Sequence, residues 1–184
     1  ALHLGIWAHY SPVPRVSRDT RCQSEETKAA IQDMFEYLQE YFAPTINSLL
    51  RYHAFPQFVV KQMVRDHVRA VLGEELKKSP WLDMDGAFFT LACNIGSSEL
   101  WHLDWNDDSR LYAIIFCVSD QDGGWEGGDF NLPQLGYRIK LEEGDVLFVL
   151  ARRLIHCATT VLKGKRMVFT CFTDRFIVNM LTKY

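Results

Sequence analysis

The apolar positions in the first half of the chain recur at helical spacing. After Ser24, a suitable N-cap, apolar side chains return every three or four residues and predict an amphipathic helix over 25–42. Pro44 is expected to end this helix, because proline cannot continue the backbone hydrogen bonds of a helix interior. The apolar positions are Ile31, Met34, Phe35, Leu38 and Phe42.

Two further helical stretches are predicted before the pattern changes. A short one follows that proline, and a longer one is predicted over 57–72, with Gly73 as its expected end. On the longer helix Lys61, Arg65 and Arg69 fall four residues apart, so they are expected to share one face. That face is a candidate for contacts with phosphate groups.

After Pro80 the chain changes to short runs of β-branched and aromatic residues separated by turn signals. Many short strands at this spacing predict a sandwich or barrel. Helices followed by strands predict an α+β chain in which the helices pack on one face of a sheet. The predicted strands cover 86–95, 98–104, 111–119, 137–141, 145–150, 155–161 and 166–173.

No internal repeat or low-complexity linker interrupts the chain, so a single domain over 1–184 is predicted. Residues 1–85 are expected to form mainly helical support, with irregular or extended structure over 1–23. Residues 86–176 are expected to form the strand-rich core.

The composition narrows the class of protein. The net charge of −3 does not indicate a strongly basic nucleic-acid binder, and no apolar run reaches the ~20 residues that span a bilayer. The five cysteines are odd in number and form no CxxC pair, which argues against a zinc ribbon or a disulfide scaffold. A reducing, intracellular setting is therefore expected, and no membrane partner.

One constellation of residues carries metal chemistry. His102 and Asp104 are two apart on a predicted strand, so their side chains are expected to point the same way. An HxD alone is a frequent chance match, but His156 lies downstream among apolar neighbours and is predicted to be buried. Two imidazoles and one carboxylate suit Fe(II) with positions left open. Zinc also accepts this set, so the metal stays undecided from these residues.

Arg166 is a candidate anion-binding residue. It lies ten residues after His156, at the start of the apolar run 167–172. A buried guanidinium needs an anionic partner, and its planar shape suits a carboxylate. The alternative is an arginine at the edge of a strand that reaches water.

The order and spacing of these motifs resemble the 2-oxoglutarate/Fe(II) dioxygenase superfamily. After the HxD come Gly-Gly-Asp-Phe-Asn-Leu-Pro (127–133) and Gly-Asp-Val-Leu-Phe (144–148). A histidine follows, and then an arginine ten residues later. The resemblance covers about 86–174 and implies a double-stranded β-helix (jelly-roll) core with supporting N-terminal helices.

The same resemblance implies a role for each residue of the constellation. His102, Asp104 and His156 would hold Fe(II), and Arg166 would bind the distal carboxylate of 2-oxoglutarate. Dioxygen and 2-oxoglutarate would then be the co-substrates.

Within the superfamily, the segment Trp-His-Leu-Asp-Trp-Asn-Asp-Asp (101–108) most resembles the TET/J-binding-protein group and its fungal and algal members. These oxidise a methyl group on thymine or 5-methylcytosine in nucleic acid. Asp107 occupies the position five residues after the first histidine, where members contact the base; the alternative is a turn residue. Trp105 and Asn94 are the other candidate substrate-binding residues. Nucleic acid carrying 5-methylcytosine, thymine or N6-methyladenine is thus a candidate partner, and a DNA substrate would imply the nucleus.

Two alternatives remain open at the level of sequence. The first is an oxygenase of the same fold that hydroxylates a protein side chain or a small molecule. The second is a jelly-roll binding module without turnover. Other candidates for nucleic-acid contact are Trp101, Trp125, Arg15, Arg18, Arg21, Arg152 and Arg153.

Overall fold

The computed structural model describes residues 1–120 and 122–181. The chain divides into two compact units: unit 1 contains 1–2 and 91–172, and unit 2 contains the remainder. Helices and antiparallel sheets are both present, which confirms the predicted α+β class. That both units form one domain stays a prediction. Over the described residues, every helix is too short or too polar to cross a bilayer.

Unit 2 is built largely from helices. Its first strand, β1 (Leu2–Trp7), pairs antiparallel with β2 (Arg15–Val16). The helices are α1 (Arg18–Arg21), α2 (Glu25–Tyr37), α3 (Ala43–His53), α4 (Phe55–Val71), α5 (Gly73–Lys78) and α6 (Arg175–Met180). Single 3₁₀ turns occur at Pro80–Leu82 and, in unit 1, at Pro133–Leu135.

The first long helix begins as predicted but does not end at the proline. The Ser24 hydroxyl accepts a hydrogen bond from the Thr27 amide, so the predicted N-cap is confirmed. After α2 a π-helical turn at Leu38–Phe42 leads directly into α3. Pro44 lies in the first turn of α3, where the missing amide hydrogen has no intrahelical partner to lose. The predicted break at Pro44 is therefore wrong.

The predicted helix over 57–72 is confirmed as α4, but Gly73 plays a different part. Leu72 leaves the helical conformation and its amide closes α4 onto the Val68 carbonyl at 2.8 Å. Gly73 then begins α5. Gly73 therefore lies at the predicted helix boundary, but the residue that ends α4 is Leu72.

The predicted cationic face of α4 is not available for phosphate. Lys61 is fully buried, and its ammonium donates to the Ala87 carbonyl at 2.9 Å. Arg65 and Arg69 are both engaged by carboxylates. The partners are Asp66, Asp83 and Asp85.

A buried carboxylate at the start of α6 joins the two ends of unit 2. Asp174 caps α6 by accepting from the Phe176 amide at 2.8 Å. It also accepts from the amides of Ala8 and His9 at 3.0 and 2.9 Å. Ala8 is buried, so its amide has no water to replace the carboxylate.

Asp174→Ala is expected to lower the free energy of unfolding by about 3 kcal/mol, because it removes an N-cap and leaves a buried amide without an acceptor. Urea denaturation would measure this loss. Asp66→Ala, which removes an exposed aspartate paired with Arg65, is the matched control and is expected to cost about 0.5 kcal/mol or less. Equal losses in the two variants would contradict the role assigned to Asp174.

Unit 1 is built from short antiparallel strands. Four neighbouring strands of the largest sheet have the order β3-β11-β4-β8, and two smaller sheets have the orders β7-β6-β9 and β10-β5. The strands are β3 (Thr90–Ile95), β4 (Ala113–Val118), β5 (Trp125–Gly127), β6 (Phe130–Leu132), β7 (Tyr137–Ile139), β8 (Leu147–Val149), β9 (Cys157–Ala158), β10 (Val161–Gly164) and β11 (Met167–Phe172).

The core of unit 1 follows the two-residue period of a strand. Ala113, Ile115 and Cys117 alternate along β4 and are all buried in one apolar cluster. Phe130 and Leu132 of β6 pack into the same cluster. Most strand predictions are confirmed within a few residues, but the one over 98–104 is wrong, since that stretch contributes only a single bridge.

Candidate metal centre

Two histidines are held opposite each other by a single antiparallel bridge. The His102 amide donates to the His156 carbonyl, and the His156 amide donates back to the His102 carbonyl, both at 3.0 Å. This reciprocal pair fixes the two backbones at residues that are far apart along the chain. Their rings lie 4.3 Å apart between centroids.

Each histidine ring is oriented by the backbone two residues before it. The Nδ1 atoms of His102 and His156 lie 2.8 Å from the carbonyl oxygens of Leu100 and Leu154. A carbonyl can only accept, so Nδ1 carries the hydrogen in both neutral rings. The lone pair is then on Nε2, the atom that binds a metal in such an arrangement.

Asp104 completes the cluster. Its Oδ1 lies 3.6 Å from Nε2 of His102 and 3.8 Å from Nε2 of His156. Its backbone amide donates to the Ala151 carbonyl at 3.1 Å, which fixes the chain at this point. One ligand atom from each residue lies within 4.8 Å of the others, and over the described residues these three form the group able to hold a metal.

The surroundings of His156 favour the neutral, metal-binding form. Its side chain is buried, and this burial lowers the pKa of the imidazole below its ordinary value. The ring of Phe130 stacks on it with centroids 5.1 Å apart. The predicted burial of His156 is therefore confirmed.

Arg166 is buried to 1% exposure at the start of β11. Its Nη1 donates to the Gly96 carbonyl at 3.1 Å, and the guanidinium also touches the Cys117 thiol. The buried Nε has no hydrogen-bond acceptor among the residues that the structure describes. Over residues 1–120 and 122–181, no carboxylate forms an ion pair with this guanidinium. This burial excludes the alternative in which Arg166 lies at the edge of a strand and reaches water.

Gly128 provides the space for the Arg166 side chain. It has a φ of +71°, and a Cβ at this position would lie 2.8 Å from Cδ and 3.1 Å from Nε of Arg166. Only glycine accepts this backbone conformation and this close approach together. The Gly-Gly-Asp segment was part of the sequence motif. That its second glycine packs against Arg166 could not be predicted from the sequence and is seen only in the structure.

The loop after Asp104 is held by an arginine whose part was not predicted. The Asp107 amide donates to the Asp104 carbonyl at 3.1 Å, and Arg152 donates to the Asp107 carbonyl at 3.0 Å. Asp107 is buried close to the predicted metal ligands in sequence and in space. Arg152, predicted as a candidate for nucleic-acid contact, holds this loop from 45 residues further along the chain.

Asp108 extends the same loop. It is buried, which opposes ionisation, but hydrogen bonds from Arg110 at 2.8 and 2.9 Å outweigh this and hold the pKa of the carboxyl below its usual value. The Arg110 amide also donates to it, at 2.9 Å. The run of Asn-Asp-Asp therefore forms a rigid turn beside Asp104.

The other two candidate substrate-binding residues are exposed. Trp105 follows Asp104 directly, and 63% of its surface is accessible. Asn94 lies near the end of β3 with its Oδ1 accepting from the Ile95 amide at 2.9 Å. Their part in substrate binding stays a prediction.

Comparisons with known proteins place the chain by its fold. No protein-family model and no curated protein matches the sequence. The structure of NgTET1 in complex with 5mC DNA matches with a TM-score of 0.58 and 17% identity, over 95% of this chain and 61% of that one. The resemblance to the TET/J-binding-protein group is thereby confirmed at the level of the fold, and the chain spans 61% of that structure's length.

Two structures of the viral collagen prolyl hydroxylase vCPH from Paramecium Bursaria Chlorella virus-1 match more weakly. The 2OG complex has a TM-score of 0.31 and 17% identity, over 58% of this chain and 70% of that one. A truncated form has a TM-score of 0.31 and 16% identity, over 58% and 66%.

Proposed function

We propose that this chain, which has the fold seen in NgTET1, is an Fe(II)- and 2-oxoglutarate-dependent dioxygenase that oxidises a methyl group on a nucleobase in DNA or RNA. One observation carries the proposal. A cluster of two histidines and one aspartate occurs in the same unit as a buried arginine that has no carboxylate partner among the described residues.

The three side chains fit a resident Fe(II) ion. Both Nε2 atoms lie within 4 Å of Asp104 Oδ1, so one metal ion could bind all three atoms, and two nitrogens with one oxygen leave room for further ligands. When bound, Fe(II) with dioxygen and 2-oxoglutarate supplies the oxidation: a C–H bond becomes C–OH while 2-oxoglutarate becomes succinate and carbon dioxide. The protein contributes the ligand geometry and keeps His156 neutral.

Arg166 fits the distal carboxylate of 2-oxoglutarate. Its guanidinium is buried, and its Nε has no acceptor within the described part of the chain. A carboxylate would satisfy this donor and neutralise the charge at once. Gly128 and Cys117 would fix the position of the guanidinium.

The double-stranded β-helix core is part of the proposal. The sheets β3-β11-β4-β8 and β7-β6-β9 are both antiparallel where their pairings are defined, and they share the apolar cluster of unit 1. The residues assigned here to the metal and to 2-oxoglutarate lie in unit 1 with these sheets.

A nucleobase substrate is supported by the loop after Asp104. Arg152 and the Asp104 carbonyl hold the backbone of Asp107 next to the metal ligand Asp104, and its side chain is buried there. A carboxyl group there can accept from an exocyclic amino group of a base. The exposed ring of Trp105 offers a stacking surface next to it, and Asn94 is the further candidate contact.

The proposal is tested by turnover with defined oligonucleotides. Fe(II) and 2-oxoglutarate added without oxygen are expected to give the visible charge-transfer band of the chelate, and His102→Ala is expected to remove it. With oxygen, oligonucleotides carrying 5-methylcytosine, thymine or N6-methyladenine are compared for succinate release and for oxidised base by mass spectrometry.

Asp107→Asn is expected to lower base oxidation at least tenfold, since it removes the carboxylate acceptor.

Asp145→Asn, at an exposed aspartate of a turn in the same unit, is the matched control and is expected to leave turnover unchanged. Succinate release stimulated by peptides or free amino acids but by no oligonucleotide would replace the nucleobase with a protein or small-molecule substrate. Absence of both the band and succinate release in the wild-type protein would overturn the enzyme assignment.

A further inference from the structure

A continuous row of aromatic rings runs along unit 2. His3 stacks on Trp7 with centroids 4.9 Å apart, and Trp7 stacks on His9 at 4.4 Å. His9 meets Tyr10 at 5.2 Å, and Tyr10 meets Phe176 at 4.9 Å. We call these five residues the ring row: His3, Trp7, His9, Tyr10 and Phe176. Each ring contacts the next, and all five lie in unit 2.

The sequence of β1 explains how the row begins. Alternate residues of a strand point to one face, so His3, Gly5 and Trp7 share a face. Gly5 between them is buried, and a Cβ there would clash with the Phe89 carbonyl, so this position needs glycine for its packing on that segment. The rings of His3 and Trp7 stack on each other.

The second half of the row is held by an unusual backbone. His9 and Tyr10 both have positive φ, +43° and +65°, a conformation that side chains other than glycine adopt rarely. The carboxylate of Asp174 holds this turn by accepting from the Ala8 and His9 amides. Such strain is kept where the surrounding structure enforces it, and it often marks a functional position.

Two arginines, Arg15 and Arg175, lie beside the ring row, and two more follow Arg15 closely in sequence. Arg15 is directly opposite Trp7 in the β1–β2 pair, so the two side chains share a face. Arg18 and Arg21 lie on α1, which follows β2 after one residue, and the Arg175 guanidinium lies 4.7 Å from the centre of the Phe176 ring.

These arginines differ from several exposed lysines of the chain. Arg15, Arg18 and Arg21 are exposed, and none forms an ion pair with a carboxylate in the described residues. By contrast, exposed lysines elsewhere reach glutamates at 2.6–3.4 Å. These lysines are Lys77, Lys140 and Lys163.

The carboxylates next to the row are already engaged. Asp19 accepts from the His3 amide at 2.8 Å, and Asp174 is buried beneath the turn. The surface therefore combines accessible rings with cationic side chains that have no carboxylate partner among the described residues.

We propose that the ring row and its arginines form a binding surface for single-stranded nucleic acid. A base would stack on the ring of Tyr10, which is 66% exposed and meets its neighbours only edge-on, while Arg15 would contact a phosphate. A duplex fits less well because its bases are already stacked on one another and cannot reach this ring. An acidic peptide would supply charge but no planar group to stack on Tyr10. This surface lies apart in sequence from the metal ligands, and the proposal does not depend on the proposed catalytic function.

The test measures binding without turnover. The chain of residues 1–184 in EDTA is titrated against a fluorescein-labelled 12-nucleotide oligo(dT), single-stranded or annealed to its complement, and anisotropy is recorded. The single strand is expected to bind more tightly than the duplex. Tyr10→Ala is expected to weaken single-strand binding about tenfold, with Tyr10→Phe retaining it, because stacking needs the ring and not the hydroxyl.

Tyr52→Ala is the matched control, since Tyr52 is 84% exposed on α3 and is not part of the row. It is expected to leave affinity unchanged. Circular dichroism melting of each variant separates loss of binding from loss of fold.

The arginines are tested by salt dependence. Arg15→Gln is expected to reduce the slope of log affinity against log salt concentration by about 0.7, the contribution of one phosphate contact in a single strand. Lys77→Gln removes the same charge from a paired, exposed lysine and is expected to leave the slope unchanged.

Equal effects of Tyr10→Ala and Tyr52→Ala, or equal binding of duplex and single strand, would overturn the proposal. Competition by poly(glutamate) as effective as that by unlabelled oligo(dT) would overturn it in favour of a purely electrostatic or peptide-binding surface.

Discussion

Arg166→Met is expected to raise the KM for 2-oxoglutarate at least a hundredfold and, at the same time, to stabilise the protein without ligand. The first effect follows from the loss of a buried, charge-assisted contact to the co-substrate carboxylate. Methionine is unbranched and apolar, so it replaces the aliphatic stem of the arginine beside Gly128 without presenting a charge, although it is shorter and does not reach the place of the guanidinium.

The sign of the stability change depends on the surroundings of the guanidinium. Arg166 is buried to 1% exposure, and in the described part of the chain no carboxylate pairs with it. Removing a buried charge that is not neutralised by a partner is expected to raise the free energy of unfolding by about 1–3 kcal/mol. The Gly96 carbonyl that loses its donor is only half-buried and can accept from water.

Urea denaturation with and without 2-oxoglutarate measures both effects. The wild-type protein is expected to gain about 2.7 kcal/mol when 2-oxoglutarate is present with metal at a hundred times its dissociation constant, and the variant is expected to gain almost nothing. Arg110→Met is the matched control, because Arg110 is paired with the buried Asp108 and its loss is expected to destabilise. A destabilised Arg166→Met protein that still gains stability from 2-oxoglutarate would contradict the assignment.

The candidate metal ligands could be predicted from the sequence because their signal is local. His102 and Asp104 are two residues apart, and His156 is flanked by apolar residues that predict its burial. The reason given for the first pair was nevertheless wrong. No strand forms over 98–104; His102 is aligned by a bridge to His156, a pairing between distant residues that periodicity along one segment does not reveal.

The basic residues show the limit of the same approach. Four-residue spacing correctly placed Lys61, Arg65 and Arg69 on one face of a helix, but spacing does not tell whether that face meets solvent. Lys61 is buried because the Ala87 carbonyl, 26 residues away, accepts from its ammonium. Arg152 is likewise engaged by the carbonyl of Asp107. For Lys61 and Arg152 the hydrogen-bond acceptor named here is a backbone oxygen. Every residue has a backbone oxygen, so the amino-acid sequence does not show which one will accept.

Backbone hydrogen bonds, both local and long-range, also decide how rigid the site is before any ligand binds. Each histidine has its Nδ1 fixed by a carbonyl, and Asp104 is fixed by the Ala151 carbonyl. The two-histidine, one-carboxylate geometry is therefore set by backbone groups. Preorganised ligands of this kind lose little freedom on binding a metal. Backbone hydrogen bonds thus fix the orientation of the three side chains that the proposed chemistry needs as metal ligands.

Gly128→Ala is expected to damage the site from a position that binds nothing itself. Its Cβ would lie 2.8 Å from Cδ of Arg166, and the buried arginine has little room to move away. The added methyl group is expected to raise the KM for 2-oxoglutarate about tenfold by displacing the guanidinium. It is also expected to lower the free energy of unfolding by about 2–3 kcal/mol through overpacking and backbone strain.

Gly136→Ala separates these two causes. Gly136 has nearly the same φ, +68° against +71°, but nothing lies within 4 Å of a Cβ there. This control is expected to lose only about 1 kcal/mol from strain and to keep its KM, as measured by urea denaturation and succinate release. A double-mutant cycle gives the decisive comparison: combined with Arg166→Ala, Gly128→Ala should cost no more than Gly136→Ala, because the atoms it meets are gone. If the excess cost persists without the arginine, Gly128 acts through the backbone alone and not by making space for Arg166.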